Sequence, residues 1–206
     1  MRGSFITFEG CDGSGKSTQI QAISRELQEC GVPVLLTREP GGTPFGEMVR
    51  GMLLDPKGPE RGALAEFLLY AASRAELVRT VILPALEEGK VVLVERFTDS
   101  SIVYQGYAGG IPIPYIENIN RIATGDLSPD LTLVFDVADP AIFRERLAPK
   151  VKDKIELRGD EYHAKVRQGY RELASRYPGR IKMIDGTLSR ERVFEAALAE
   201  VRKCLG

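Results

Sequence analysis

The sequence is short of what several large classes of protein depend on. It has one histidine, His163, and nothing pairs that residue with a nucleophile. It reads as a surface position on a helix. Its three cysteines, Cys11, Cys30 and Cys204, are too widely spaced for a CxxC metal pattern, and three cannot all pair in one chain. Neither sign of charge prevails: 28 Lys and Arg against 29 Asp and Glu leave a formal net charge of −1. No global field therefore draws in nucleic acid or an anionic membrane, and any anion must be held by a local site. No apolar run approaches the roughly 20 residues of a membrane span. The opening MRGSFITFEG lacks the apolar core of a signal peptide. Internal repeats, low-complexity tracts and Ser/Gly linkers are missing too. A single cytoplasmic domain over residues 1–206 is expected, with neither nucleic acid nor membrane as a partner.

What the sequence does contain is alternation. Five short apolar runs read as strands: Ser4–Glu9, Pro33–Thr37, Val91–Glu95, Leu131–Asp136 and a weaker Arg180–Ile184. Helical spacing lies between them. Ile20, Ile23, Leu27 and Cys30 fall on one face, as do Tyr162, Val166, Tyr170, Leu173 and Tyr177, and later Val193, Ala197 and Val201. Ala63–Glu88 contains no glycine and reads as one long helix with a kink at Pro84. Strands alternating with helices predict an α/β fold, a five-stranded parallel sheet with helices on both faces. In such sheets ligands sit beyond the carboxyl ends of the strands.

The first strand runs into GCDGSGKS, Gly10–Ser17, a full match to GxxxxGK[ST] between a strand and a helix. Gly10, Gly13 and Gly15 let the backbone curl so that successive N–H groups, from Cys11 and Ser14 among others, face phosphate oxygens. The positive end of the next helix, from Lys16 through Thr18, adds to the attraction. Lys16 reaches the β and γ phosphates of ATP, and Ser17 offers its hydroxyl to Mg2+. Such a loop says only that a nucleotide binds. No NKxD-type guanine-reading motif follows a late strand, which lowers the GTPase reading.

Arg38 and Arg96 each end a strand near this loop. A second phosphate brought up to ATP needs such cations, and guanidinium groups grip it with paired hydrogen bonds. Tyr70 and Arg74 lie four residues apart on a helix and share a face. They are either a stacking group beside a base-edge donor, or a core tyrosine beside a solvated charge.

Four stretches together resemble the thymidylate kinase family: FEGCDGSGKST (Phe8–Thr18), REPGGTPFGE (Arg38–Glu47), YAASR (Tyr70–Arg74) and ERFTDSSIVYQG (Glu95–Gly106). The likeness runs from Phe5 to about Gly186 and is nearest the bacterial kind. It implies the nucleoside monophosphate kinase form of the P-loop fold, transfer of the γ-phosphoryl group of ATP to dTMP, and a homodimer. It implies that Tyr70 stacks on thymine and Arg74 bonds its carbonyl oxygen. Pro40 would lie near the 5-methyl group, with Ser101 and Gln105 near base and sugar. Tyr104 would crowd the ribose 2′ position, and Asp12 would bond the 3′-hydroxyl. Arg38 and Arg96 would hold the acceptor phosphate. The family's usual Asp-Arg after the third strand is Glu95-Arg96 here, so a longer carboxylate, Glu95, would serve the Mg2+ site.

The family's lid corresponds to residues 148–158, with Lys150, Lys152, Lys154 and Arg158. Gly13 leaves the P-loop without an arginine, so the catalytic cation is expected from this segment, from Lys154 or Arg158. Arg144 or Arg146 is expected against adenine. Asp136 either holds a metal-bound water or caps the segment after its strand. The rival readings are a kinase for dUMP, UMP or CMP, and a nucleotide-gated module without fast transfer.

Overall fold

The computed structural model describes residues 2–138 and 159–206. Five strands form one parallel sheet: β1 (Phe5–Gly10), β2 (Val34–Arg38), β3 (Val91–Glu95), β4 (Leu131–Asp136) and β5 (Ile181–Asp185), in the order β2-β3-β1-β4-β5. The expected strands lie within one residue of those observed. β1 sits in the centre, paired with β3 on one side and β4 on the other. The chain reverses direction of travel across the sheet at β1, the switch point at which such sheets bind ligands.

The pleat of β1 sorts its side chains by face. Ile6 and Phe8 point to one side, where they meet Ile20, Ile23 and Leu27 of α1 (Lys16–Glu29) and Val193, Ala197 and Val201 of the last helix (Arg190–Leu205, α8 below). Apart from Ala197, each of these side chains contributes about 1.5–3 kcal/mol when fully buried. Phe5 points to the other side, against the long helical segment after residue 63. Thr7 and Glu9 share that second face with Phe5, and both are wholly buried.

The predicted α1 face holds for Ile20, Ile23 and Leu27 but not for Cys30, which is exposed at the cap. Gly31 takes a left-handed φ of 78°, and its N–H bonds the Gln28 carbonyl, so the helix stops there. The expected single helix over Ala63–Glu88 is also modified. It runs as α3 (Ala63–Leu77), widens into a π-helical turn over Val78–Ile82, and resumes as α4 (Leu83–Glu87). Pro84 has no N–H, and its ring would strike the carbonyl four residues back. The chain opens a wider turn just ahead of it, with the Leu83 N–H on the Val78 carbonyl.

Among the described residues the remaining helices are α2 (Pro44–Leu54), α5 (Thr98–Ser101), α6 (Ile113–Thr124), α7 (Asp160–Arg176) and α8. A second π-helical stretch, Ile102–Tyr107, continues α5 and carries Tyr104 and Gln105. Val166, Tyr170 and Leu173 of α7 are buried as their spacing predicts, while Tyr162 and Tyr177 are half-buried. His163 is half-buried on α7 with its ring edge-on to Tyr162, 5.8 Å between centroids, rather than a plain surface residue.

Candidate active site

The loop Gly10–Ser17 leaves β1 at the carboxyl edge of the sheet. Gly10 has φ 131°, and a Cβ there would lie 2.4 Å from the Phe135 carbonyl oxygen, so no other residue fits. Gly13 and Gly15 also have positive φ, 80° and 91°. Among the described residues no side chain caps α1, which leaves its first amides facing the cleft. The Lys16 ammonium folds back over the loop, 3.3 Å from the Cys11 carbonyl and 3.2 Å from Asp12 Oδ1. The Cys11 side chain is buried among core residues, so only its backbone faces this way. Burial raises its thiol to about 11, keeping it neutral.

The cleft on one side of the loop is lined by Asp12, Gly13, Ser14, Gly15, Lys16, Ser17 and Thr18, and on its far wall by Gly186, Leu188 and Arg190. The far wall was missed from the sequence, where residues after β5 carry no motif. The second pocket shares Asp12 with the first. Every residue expected on the acceptor side lines it: Asp12, Arg38, Pro40, Tyr70, Arg74, Arg96, Ser101, Tyr104 and Gln105. Glu39, Arg50, Phe97 and Ser100 line it as well and were not foreseen. Arg50 could not have been found from spacing alone. It stands on α2 and reaches the pocket by donating to the Pro40 carbonyl at 3.0 Å.

Arg96 sits where the two pockets meet. Its φ of 66° is left-handed, a conformation shared by only one other non-glycine residue, Asp126, among those described. Its guanidinium donates to Asp12 Oδ1 at 2.7 Å and to Ser100 Oγ at 3.3 Å, and lies 5.0 Å from the centre of the Tyr104 ring. Burial opposes the charge on Asp12, but Arg96 and Lys16 overcome it and hold that carboxyl well below the usual range. Glu95, beside Arg96, accepts from Ser17 Oγ at 2.8 Å and stands 3.8 Å from the Lys16 ammonium. A hydroxyl and a carboxylate side by side fit Mg2+, which takes one or two protein ligands and completes its shell with phosphates and water.

Arg38 is exposed and paired with Glu47 on α2 at 3.1 Å. Arg74 overturns the solvated-charge reading. It is 1 % exposed, and its guanidinium donates to Glu39 Oε2 (2.8 Å), Asn120 Oδ1, the Phe97 carbonyl (3.2 Å) and Ser101 Oγ (2.9 Å). Burial pushes the Glu39 carboxyl up to about 7, against the pull of Arg74. Tyr70 is half-buried on the same helix face and lines the pocket.

Asp136 ends β4 and faces α7. Its carboxylate bridges Arg167 and Arg171 of α7, at 3.3 and 2.7 Å. The segment after its strand that it could cap, residues 139–158, lies outside the described residues. Lys150, Lys152, Lys154, Arg158, Arg144 and Arg146 lie outside the described residues.

A glycine-rich loop at the switch point, with a second, arginine-lined pocket opening beside it, defines a P-loop nucleoside monophosphate kinase, an ATP-dependent transferase. Residues 8–197 match the family model described as thymidylate kinase. A thymidylate kinase of Symbiobacterium thermophilum is 51% identical over 189 residues, covering 92% of this chain and 88% of the relative. One from Pelotomaculum thermopropionicum is 50% identical over 207 residues, covering 100% of this chain and 95% of the relative. A solved thymidylate kinase from Ehrlichia chaffeensis superposes with a TM-score of 0.78 at 36% identity, over 100% of both chains. The chain belongs to the thymidylate kinase family.

Proposed function

We propose that this protein transfers the γ-phosphoryl group of ATP to dTMP, giving dTDP and ADP. The observation that carries the reading is the pocket beside the P-loop, which Arg96, Arg38, Tyr70, Pro40 and Arg74 all line. An oxygen of the monophosphate attacks the γ-phosphorus in line while the bond to the β–γ bridging oxygen breaks, and ADP leaves. The protein's part is positioning and charge.

Lys16 and the loop amides of Gly10–Thr18 hold the donor phosphates. Arg96 grips the acceptor phosphate, and Arg38 exchanges its exposed partner Glu47 for that phosphate. Arg74, already held on four sides, presents a remaining donor edge to a base carbonyl, and Tyr70 stacks on the ring. Ser101 and Gln105 line the base and sugar region, and Tyr104 limits the 2′ side. Asp12, shared by both pockets, meets the 3′-hydroxyl. Ser17 and Glu95 hold Mg2+, which when bound offsets charge on the donor phosphates. The cation supplied from outside the loop is assigned to Lys154 or Arg158, and the adenine contact to Arg144 or Arg146.

A homodimer and a cytoplasmic setting go with this reading. Phe45, Met48 and Met52 form one exposed stripe on α2, and Leu64 and Leu68 another on the adjoining α3. An apolar surface of that kind supports a subunit contact. Among the described residues, no helix is long and apolar enough to cross a membrane.

A panel of monophosphates in an ADP-release assay tests the substrate. The expected order is dTMP first, dUMP next and ribonucleotides last. One methyl group in an apolar pocket is worth about 1–3 kcal/mol, so dUMP should be slower by roughly 10–200-fold in kcat/KM. If UMP or CMP gave the highest kcat/KM, the assignment would fall.

Arg96→Lys tests the phosphate grip. Lysine keeps the charge and loses the planar fork. A fall of roughly tenfold to a hundredfold in kcat/KM for dTMP is expected, the equivalent of about 1.5–3 kcal/mol for a hydrogen bond to a charged group. Unchanged kcat and KM would remove Arg96 from the substrate site.

A further inference from the structure

Glu9 is the last residue of β1 before the loop glycine, and the phosphate loop makes no use of its side chain. It is fully buried, at 0 % exposure. A carboxylate there is costly unless its partners repay the loss of water. Its neighbours on the same strand face need no carboxylate. Phe5 packs edge-on against Phe97 at 5.0 Å, and Thr7 shares a 2.7 Å hydroxyl contact with Thr132.

The donors to Glu9 converge from one place. Oε1 accepts the Phe97 N–H at 2.7 Å, the peptide immediately after Arg96. Oε2 accepts the Ser100 hydroxyl, and that same oxygen atom of Ser100 accepts from Arg96 Nη1 at 3.3 Å. The third donor is the Tyr170 hydroxyl of α7, at 2.8 Å to Oε2 and 3.1 Å from Ser100 Oγ. Glu9 therefore holds both ends of Arg96: the backbone through Phe97 and the guanidinium through Ser100.

That hold meets a need visible in the backbone. Arg96 is in the left-handed region at φ 66°, a conformation that costs an arginine energy and persists only where its surroundings fix it. The Arg96 N–H bonds the Phe8 carbonyl at 3.0 Å, which anchors one side of the turn, and Glu9 anchors the other. An acceptor with two oxygens is required, since one takes a backbone N–H and the other takes hydroxyls.

We propose that Glu9 is a positioning residue for the acceptor substrate: it touches neither nucleotide, but fixes the turn and guanidinium of Arg96 so that the fork meets the monophosphate in register. The proposal rests on the assignment of Arg96 to the acceptor phosphate. It gives a substrate-specific consequence. Loosening Arg96 should weaken dTMP and leave ATP, held by the loop amides and Lys16, nearly untouched.

Glu9→Gln is the informative variant. Its amide oxygen still accepts the Phe97 N–H, but its NH2 presents a donor to the Ser100 and Tyr170 hydroxyls, both of which donate to Glu9 in the wild type, so Ser100 must turn and its hold on Arg96 loosens. Steady-state kinetics should show KM for dTMP raised about tenfold and KM for ATP within about twofold of wild type. A second measurement places the same change in an Arg96→Ala background. There Glu9→Gln should add nothing to the dTMP penalty, because the group it positions is gone. A rise in both KM values together, or a Glu9→Gln penalty undiminished in Arg96→Ala, would overturn the proposal in favour of general scaffolding. Should Glu9→Gln fail to fold, Ser100→Ala removes only the bridging hydroxyl and must give the same split between substrates. An unsplit Ser100→Ala overturns the idea equally. The Arg96→Ala arm keeps the two claims apart. If it leaves KM for dTMP unchanged, the phosphate assignment itself is wrong. If it raises KM while Glu9→Gln does not, only the positioning role fails.

Discussion

Lys16→Ala should give a folded protein whose kcat falls by about 10²–10³-fold. The magnitude is that of removing one preorganised group from charge that develops during the reaction. The structure explains why folding should survive. Asp12 keeps Arg96 as a partner at 2.7 Å, and Glu95 keeps the Ser17 hydroxyl at 2.8 Å. Neither carboxylate is stranded. What disappears is the one ammonium that faces both carboxylates from inside the loop, at 3.2 and 3.8 Å. Its present contacts with Asp12 and the Cys11 carbonyl are ones that phosphate oxygens would replace. The measurement is single-turnover and steady-state dTDP formation at saturating ATP and dTMP, with circular dichroism to establish folding. Near-normal turnover in a folded sample would sink the assignment of the Gly10–Ser17 loop to the donor phosphates.

The phosphate loop was legible because its physics is local. A strand, three glycines, a lysine and a helix start sit within a dozen residues, and each type is needed for a stated reason. The strand positions were legible because buried parallel strands read as unbroken apolar runs. The two π-helical turns were not, since one extra residue per turn leaves no period that a spacing test detects. The Ile102–Tyr107 turn matters because it sets the orientation of Tyr104 and Gln105. Glu9 and Glu39 were illegible for another reason. A single acidic residue at a strand end carries no pattern, and only its partners reveal that it is buried. For Asp136 the position at the end of β4 was legible, but its partners were not, since the two arginines it pairs with lie on α7, remote in sequence. Arg74 is the largest fully buried side chain among the described residues. Helical spacing gave its face correctly but could not tell that Asn120 and Glu39 would come to meet it.

Arg74→Ala should be the most destabilising single change in the acceptor pocket, and its cost should grow with pH. The side chain is 1 % exposed, and its removal leaves Glu39, 4 % exposed, as a buried carboxyl without a cation. Breaking a buried pair in this way costs about 3–5 kcal/mol when the remaining group is charged. The vacated space beside Phe97, whose ring lies 5.5 Å from the guanidinium carbon, adds a cavity term. Protonation of Glu39 limits the first cost. In the wild type its carboxyl is raised by burial to about 7, from 4.5 when unperturbed. A raised folded pKa means that the native state binds a proton the unfolded chain gives up. The stability contributed by Glu39 is therefore full below about pH 4.5 and is lost as pH rises through about 7. Without Arg74 the folded pKa rises further, so in the variant that loss continues above pH 7. The difference between the two proteins should then be modest near pH 6, where Glu39 is largely neutral in both, and should approach its full value near pH 8.5. Glu9 is the other titratable group that acts on Glu39. It is present in both proteins, so its contribution cancels to first order in the difference. Urea denaturation of wild type and Arg74→Ala at the two pH values measures this directly. Adding Glu39→Gln to the variant should flatten the pH dependence and recover part of the stability, as the carboxyl that needed the guanidinium is no longer there. A gap of equal size at both pH values would mean that packing, and not the stranded carboxyl, makes Arg74 necessary.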